Sequence, residues 1–256
     1  MHLFILIFCI GCNEPSYYKS KPSNPSEIKS PPQQEKTLNK NLIQDLKQLS
    51  TVDELMTYDM VKRKIATQRT QLQSENLQID SIGKIFENWL VGQIIPFWEG
   101  TDWSFEGHTS ILKSGTIACG YFVSTTLQDL GLNLSKYKLA QQSPINEARS
   151  LALTTEVKEF SGQAKSELIL AISQYLTEGI HFIGFDESHV GYILKRKQDL
   201  YLIHSNYLNA VGVEIEQIEQ SEVFESYNKF YIVQLSSNGA LLNHWKKNKK
   251  IEIISL

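Results

Sequence analysis

The sequence predicts an α+β domain in which helices pack on a mostly antiparallel sheet. Apolar residues recur at helical spacing as far as residue 131 and again over residues 165–178. After residue 179, short runs of β-branched and aromatic residues follow one another with brief turns between them. Helices followed by several short, closely connected strands are typical of this class.

Length and charge limit what the chain can be. Its 256 residues are enough for one sizeable domain with appended segments. Its formal net charge is −3, so no overall basic field favours a nucleic-acid partner. We also expect no cofactor.

Residues 1–11 have the features of a secretion signal. Residues 3–10 are apolar, but they are too few to span a bilayer. Residues 9–12, Cys-Ile-Gly-Cys, resemble the lipobox of bacterial lipoproteins. The resemblance implies cleavage before Cys12 and lipid attachment to Cys12. It therefore implies a protein of the bacterial cell envelope that is anchored to a membrane through Cys12.

Two further segments precede the main domain. Residues 12–40 are rich in Ser, Pro, Lys, Gln and Asn and predict a disordered tether, because they contain too little apolar surface to fold. Residues 41–95 predict a helical segment, with one helix ended by Pro96. The aromatic stretch over residues 97–108 predicts a loop. Trp103 in this loop is a candidate for substrate contact, and closure of the core is the alternative.

Residues 114–131 predict a helix that starts at or just before Cys119 and stops at Gly131, with Ser114 or Thr116 as the cap. A thiol at a helix N-terminus has a lowered pKa, so its reactive thiolate becomes populated near neutral pH. A small buried core residue is the alternative. If Cys9 is removed and Cys12 is acylated, Cys119 is the one remaining thiol, which favours a chemical role.

The second half predicts one amphipathic helix over residues 165–178, closed by Gly179, and a short helix over residues 223–227. The basic end, residues 243–250, predicts a solvated tail. Five strands are predicted over residues 180–185, 189–195, 200–206, 211–215 and 230–235.

A hairpin of two of these strands predicts a base and its orienting partner. His189 opens one strand, and an even-numbered turn places His204 or Asn206 of the next strand opposite it on the same face. A second imidazole or an amide oxygen can accept from the ring N–H of His189 and set its tautomer. Gly191 is expected to leave room for the substrate beside His189.

Three short motifs resemble the NlpC-like cysteine peptidases. They are CGYFV at residues 119–123, HVGYIL at residues 189–194 and LIHSN at residues 202–206. The resemblance implies a papain-like fold over residues 96–256 with Cys119 as nucleophile, His189 as base and His204 as third residue. The related CHAP amidases imply Asn206 instead. Tyr121, beside the cysteine, is a candidate for substrate contact.

The function predicted on this basis is an envelope-anchored cysteine hydrolase. It would cleave an amide bond in a peptide or peptidoglycan stem. One alternative is a catalytically inactive scaffold of the same fold that acts as a binding or inhibitory module. A metal site built from Cys119, His189 and His204 is a third alternative. It is disfavoured because the sequence has no closely spaced ligand pair.

Overall fold

The computed structural model describes residues 56–162, 164–186 and 188–255. The predicted signal segment, its lipid attachment residue Cys12, the tether and the first part of the helical segment lie outside these residues. Within the described residues, no helix is both long and apolar enough to cross a membrane.

The N-terminal helices are α1 (Tyr58–Ser74), α2 (Ile79–Trp89), a π-helix (Leu90–Ile94) and α3 (Ile95–Trp98). Thr57 caps α1 by accepting a hydrogen bond from the backbone N–H of Met60. The prediction that Pro96 ends the helix was wrong, because the helical path continues to Trp98. Pro96 occupies the first turn of α3, where its missing N–H costs little, and the π-helical turn precedes it.

The predicted central helix is confirmed as α4 (Cys119–Asp129), and its buried residues include Phe122, Val123 and Leu127. Gly131 adopts a φ of 97° at its C-terminal end. Two helices that the sequence analysis did not predict follow it, α5 (Lys136–Ala140) and α6 (Pro144–Ala152).

The sheet has six strands in the order β1-β6-β2-β3-β4-β5, and every neighbouring pair is antiparallel. All five predicted strands are present. The bounds are β1 (Lys158–Ser161), β2 (Gly179–Phe185), β3 (His189–Arg196), β4 (Asp199–Asn206), β5 (Gly212–Gln217) and β6 (Lys229–Gln234). The α+β class with an antiparallel sheet is therefore confirmed.

The remaining elements are α7 (Lys165–Tyr175), α8 (Glu222–Ser226), α9 (Gly239–Lys246) and 3-10 turns at Leu208–Ala210 and Ile218–Gln220. Gly179 starts β2 instead of closing α7, which ends at Tyr175. The prediction of a solvated tail over residues 243–250 was wrong for its first part, which belongs to α9, whereas residues 247–250 are exposed. Trp245 of α9 is fully buried, and its indole N–H donates to the carbonyl oxygen of Leu130 at 2.7 Å.

Both faces of the sheet are buried. One face packs with α1 to α4, α6 and α9, and we call this side the α4 layer. The other face packs with α7 and α8, and we call it the α7 layer. Side chains alternate between the layers along each strand, so Tyr192 and Leu194 of β3 face α4, whereas Ile193 faces α7.

Candidate active site

Two hydrogen bonds from other parts of the chain fix the segment that leads into α4. The amide of Ala118 donates to the carbonyl oxygen of Gly107 at 2.8 Å, and the hydroxyl of Ser205 in β4 donates to the carbonyl oxygen of Ile117 at 2.7 Å. Ala118 is the N-cap, and no side chain among the described residues caps this helix. The expected caps Ser114 and Thr116 were wrong, because the chain enters α4 directly from this extended segment.

Cys119 is therefore the first residue of a helix, as predicted. Its side chain is half-buried and carries a reduced thiol. The Sγ atom lies 4.0 Å from the carbonyl oxygen of Ser188, the residue immediately before His189. The thiol is thus at the end of β3 where His189 begins the strand.

His189 is buried at that strand end, on the side of the α7 layer. Its ring contacts those of Phe185 and Tyr207, with centroid separations of 5.1 and 5.3 Å. Its Nε2 atom is hydrogen-bonded to Nδ1 of His204 at 2.8 Å. The predicted hairpin thus brings together His189 and one of its two candidate partners.

Gly191 makes this pairing possible. The register of β3 and β4, continued from Tyr192 opposite Ile203, places Gly191 opposite His204, so the two histidines meet on the diagonal. A Cβ at residue 191 would lie only 2.9 Å from the Cβ of His204. The expectation that Gly191 leaves room for substrate was wrong, because the side chain of His204 fills this space.

Asn206, the other candidate partner, makes different contacts. Its amide donates to Oε1 of Glu214 at 2.6 Å, and its Oδ1 accepts from the backbone N–H of Leu208 at 2.7 Å. These contacts tie the end of β4 to β5 and to the following turn.

Two residues that the sequence analysis missed extend the site beyond His204. Oε1 of Glu216 lies 3.0 Å from Nε2 of His204 and accepts a 2.6 Å hydrogen bond from the hydroxyl of Ser221. We call His189, His204, Glu216 and Ser221 the histidine network. Glu214 and Glu216 are two residues apart, so in a strand both side chains lie on one face. This spacing could have indicated carboxylates beside His204, but only if the pairing of β5 with β4 had been known.

Burial dominates the electrostatics of these groups. Burial, with a smaller contribution from His204, lowers the pKa of His189 well below its ordinary value. Burial lowers the pKa of His204 to about 3. Both rings are therefore neutral at pH 7. Burial raises the pKa of Glu216, and the hydrogen bond from Ser221 partly offsets this.

A second buried carboxyl lies beside the first turn of α4. An ideal Cβ on Gly120 would be 3.2 Å from Oε1 of Glu147. Burial raises the pKa of Glu147 well above its ordinary value. The protonated form is therefore favoured, and this form adds no negative charge next to the thiol.

The two aromatic candidates lie in different surroundings. Trp103 contacts Tyr207, whose ring in turn contacts His189, with centroid separations of 6.2 and 5.3 Å. Tyr121 lies two residues after the thiol and contacts His108 and Tyr137 at 5.8 and 6.1 Å. Both residues are half-buried.

One group of described side chains has donor atoms close enough for a metal ion, namely His204, Glu214 and Glu216, within 4.8 Å of one another. Its Oε1 atoms already accept hydrogen bonds from Asn206 and Ser221. We therefore interpret the group as a hydrogen-bonded cluster. It differs from the predicted metal alternative, since it contains neither Cys119 nor His189.

No protein-family model, curated protein or solved structure matches this chain.

Proposed function

We propose that the protein is a cysteine hydrolase that cleaves an amide bond, with Cys119 as nucleophile, His189 as base and His204 as the residue that orients the base. The observation that supports this most directly is the 2.8 Å hydrogen bond between Nε2 of His189 and Nδ1 of His204. It holds one ring nitrogen of His189 inside the sheet and leaves Nδ1 for the thiol. A nucleophile, a base and an orienting group are the parts that covalent acyl transfer needs.

The lowered pKa of His189 favours a neutral imidazole over a resting ion pair with the thiolate. In the proposed reaction, Nδ1 takes the thiol proton as Sγ forms a bond to the carbonyl carbon. The carbonyl oxygen becomes an oxyanion, which the first-turn N–H groups of α4 stabilise, since such groups have no acceptor within a helix. The C–N bond then breaks, and Nδ1 returns the proton to the leaving amine.

Water completes the cycle. His189 removes a proton from the water as its oxygen attacks the thioester carbon, and the C–S bond breaks. The carboxylic acid leaves, and the proton on His189 returns to Sγ. The proposed reaction requires no redox step and no metal ion.

The proposed substrate class is a peptide, with the peptide stem of the cell wall as the specific candidate. Its support is the resemblance of the three motifs to NlpC-like peptidases with a papain-like fold. Trp103 contacts Tyr207, which contacts His189, and Tyr121 follows Cys119 by two residues, so both half-buried side chains are candidates for substrate contact. Anchoring to the cell envelope through a lipid on Cys12 is part of the same proposal.

The hydrolase proposal is tested with Cys119→Ala, His189→Ala and a matched control, His244→Ala. His244 lies in α9, and its Nδ1 lies 2.9 Å from the carbonyl oxygen of Ala240 in the same helix. We expect hydrolysis of purified peptidoglycan fragments to fall by about 1,000-fold or more in the first two variants and to be unchanged in the third. Circular dichroism checks that each variant is folded.

A second measurement separates an active enzyme from an inactive scaffold. The rate of iodoacetamide labelling of Cys119 is followed as a function of pH in the wild-type protein and in His189→Ala. We expect rapid labelling near neutral pH that requires His189. Labelling with the pH dependence of an ordinary thiol would overturn the hydrolase proposal and favour the inactive binding module.

Metabolic labelling with a fatty acid tests the proposed lipid anchor. We expect the label to be lost in Cys12→Ser.

A further inference from the structure

We propose that Glu216 sets the tautomers of both histidines and so makes Nδ1 of His189 the basic atom of the site. Glu216 is a positioning residue in this scheme, since it acts through His204. The inference rests on the proposed function for its consequence in catalysis, but the tautomers themselves can be measured without any substrate.

The first step is the contact between Glu216 and His204. An ionised carboxylate can only accept hydrogen bonds, and Oε1 of Glu216 lies 3.0 Å from Nε2 of His204. The hydroxyl of Ser221 donates to the same oxygen at 2.6 Å, and this hydrogen bond opposes the rise in the pKa of Glu216 that burial causes. With Glu216 ionised, Nε2 of His204 holds the proton in this contact.

The second step follows from the neutrality of His204. A neutral imidazole has a single N–H, so with Nε2 protonated its Nδ1 presents a lone pair. This lone pair lies 2.8 Å from Nε2 of His189, which must then be the donor. Since His189 is neutral as well, its own Nδ1 holds no proton and is the base.

The opposite arrangement is disfavoured by the same contacts. With the proton of His204 on Nδ1, its Nε2 lone pair would face the carboxylate oxygen of Glu216 at 3.0 Å, in a buried environment. His204 would then donate to His189, whose remaining proton would be on Nδ1. In that state His189 could not accept the proton of a thiol.

Glu214 provides a matched comparison on the same strand. It is two residues from Glu216, but its Oε1 atom is 4.0 Å from Nε2 of His204 and accepts from the amide of Asn206. Its side chain is also more exposed than that of Glu216, at 27% against 15%. Glu214 therefore belongs to the support of Asn206 and does not set the tautomer.

The test is nitrogen NMR of the protein labelled with ¹⁵N-histidine, in which the ring correlations report which nitrogen holds the proton. The wild-type protein should show His204 and His189 both protonated on Nε2. In Glu216→Leu, the form of His189 that is protonated on Nδ1 should become populated. Iodoacetamide labelling of Cys119 should then fall by about 100-fold, the usual contribution of a positioned base. Glu214→Leu should change neither measurement.

The outcomes separate the inference from the proposed function. A wild-type spectrum with His189 protonated on Nδ1 overturns the inference, whether or not the variants fold. Unchanged tautomers in a folded Glu216→Leu protein also overturn it. The expected tautomers in a protein that hydrolyses nothing support the inference and contradict the hydrolase proposal.

Discussion

Two buried histidines on the same face of the sheet, His204 and His181, differ only in what surrounds them. Burial lowers the pKa of each to about 3. His204 has a hydrogen-bond partner at each ring nitrogen. His181 bonds the carbonyl oxygen of Thr177 through Nε2, but its Nδ1 has no partner among the described residues.

The comparison shows that a shifted pKa alone does not identify a functional histidine. Desolvation is the largest cause of the lowered pKa of His181 as well as of His204. His181 lies in β2 away from the end at which Phe185 pairs with His189. What distinguishes His204 is a continuous set of partners that runs from Glu216 to His189. His189 directly follows Ser188, whose carbonyl oxygen lies 4.0 Å from Sγ of Cys119. Three predictions test this distinction.

The largest expected effect comes from removing each histidine in turn. His204→Ala deletes the hydrogen-bond partner of Nε2 of His189, so the proposed base loses its orientation, and hydrolysis and Cys119 labelling should fall by about 100-fold. His181→Gln should leave both rates unchanged, because His181 contacts none of the network. Steady-state assays and labelling rates measure the two variants side by side. Equal losses in both would mean that the network has no special role.

A smaller effect is expected from adding a methyl group at Gly191, where the side chain of His204 packs. In Gly191→Ala, the new Cβ would lie 2.9 Å from both the carbonyl oxygen of Ile203 and the Cβ of His204. Overpacking of this kind costs about 1–3 kcal/mol of unfolding free energy. Displacement of His204 should also slow the labelling of Cys119.

Gly239→Ala in α9 is the control for that substitution, since its nearest contact would be an ordinary 3.5 Å from Cγ1 of Ile79. Urea unfolding should show little change for this control. A Gly191→Ala protein with wild-type stability and labelling would show that β3 and β4 can move apart without consequence.

The smallest effect concerns the pH dependence of stability. His181 is held neutral by burial, with Lys195 and Arg196 lowering its pKa further, whereas the carbonyl oxygen of Thr177 opposes this. Between pH 6.5 and about 3, His181 binds a proton in the unfolded chain but not in the folded state. Stability from this group is therefore present above pH 6.5 and lost as the pH falls.

His181→Gln should remove that dependence. Between pH 7 and pH 5 the wild-type protein should lose about 1–2 kcal/mol more unfolding free energy than the variant. Urea unfolding at both pH values measures the difference. Parallel changes in the two proteins would indicate that His181 becomes protonated inside the folded state.

Local patterns were sufficient for the elements that bring the site together. Apolar spacing predicted the helix that begins at Cys119, and alternation predicted β3 and β4 with His189 and His204 in them. The same reasoning was wrong at Pro96 and in the first part of the basic end, around Trp245. There the outcome depended on a π-helical turn and on the burial of Trp245, which bonds Leu130 at the C-terminal end of α4. Local propensity includes neither effect.

The sequence by itself determined the type and order of the main elements and the identity of the thiol and the two histidines, because these follow from spacing along the chain. Only the tertiary structure decided that the hydrogen-bond partner of His189 is His204, whereas Asn206 bonds Glu214 and Leu208. It also decided that Gly191 accommodates His204 and that Glu216 completes the network. Each of these depends on strand register and on atoms of β5 and the following turn. The physical reason is that a hydrogen bond requires approach within about 3 Å, and spacing along the chain does not specify such distances between strands.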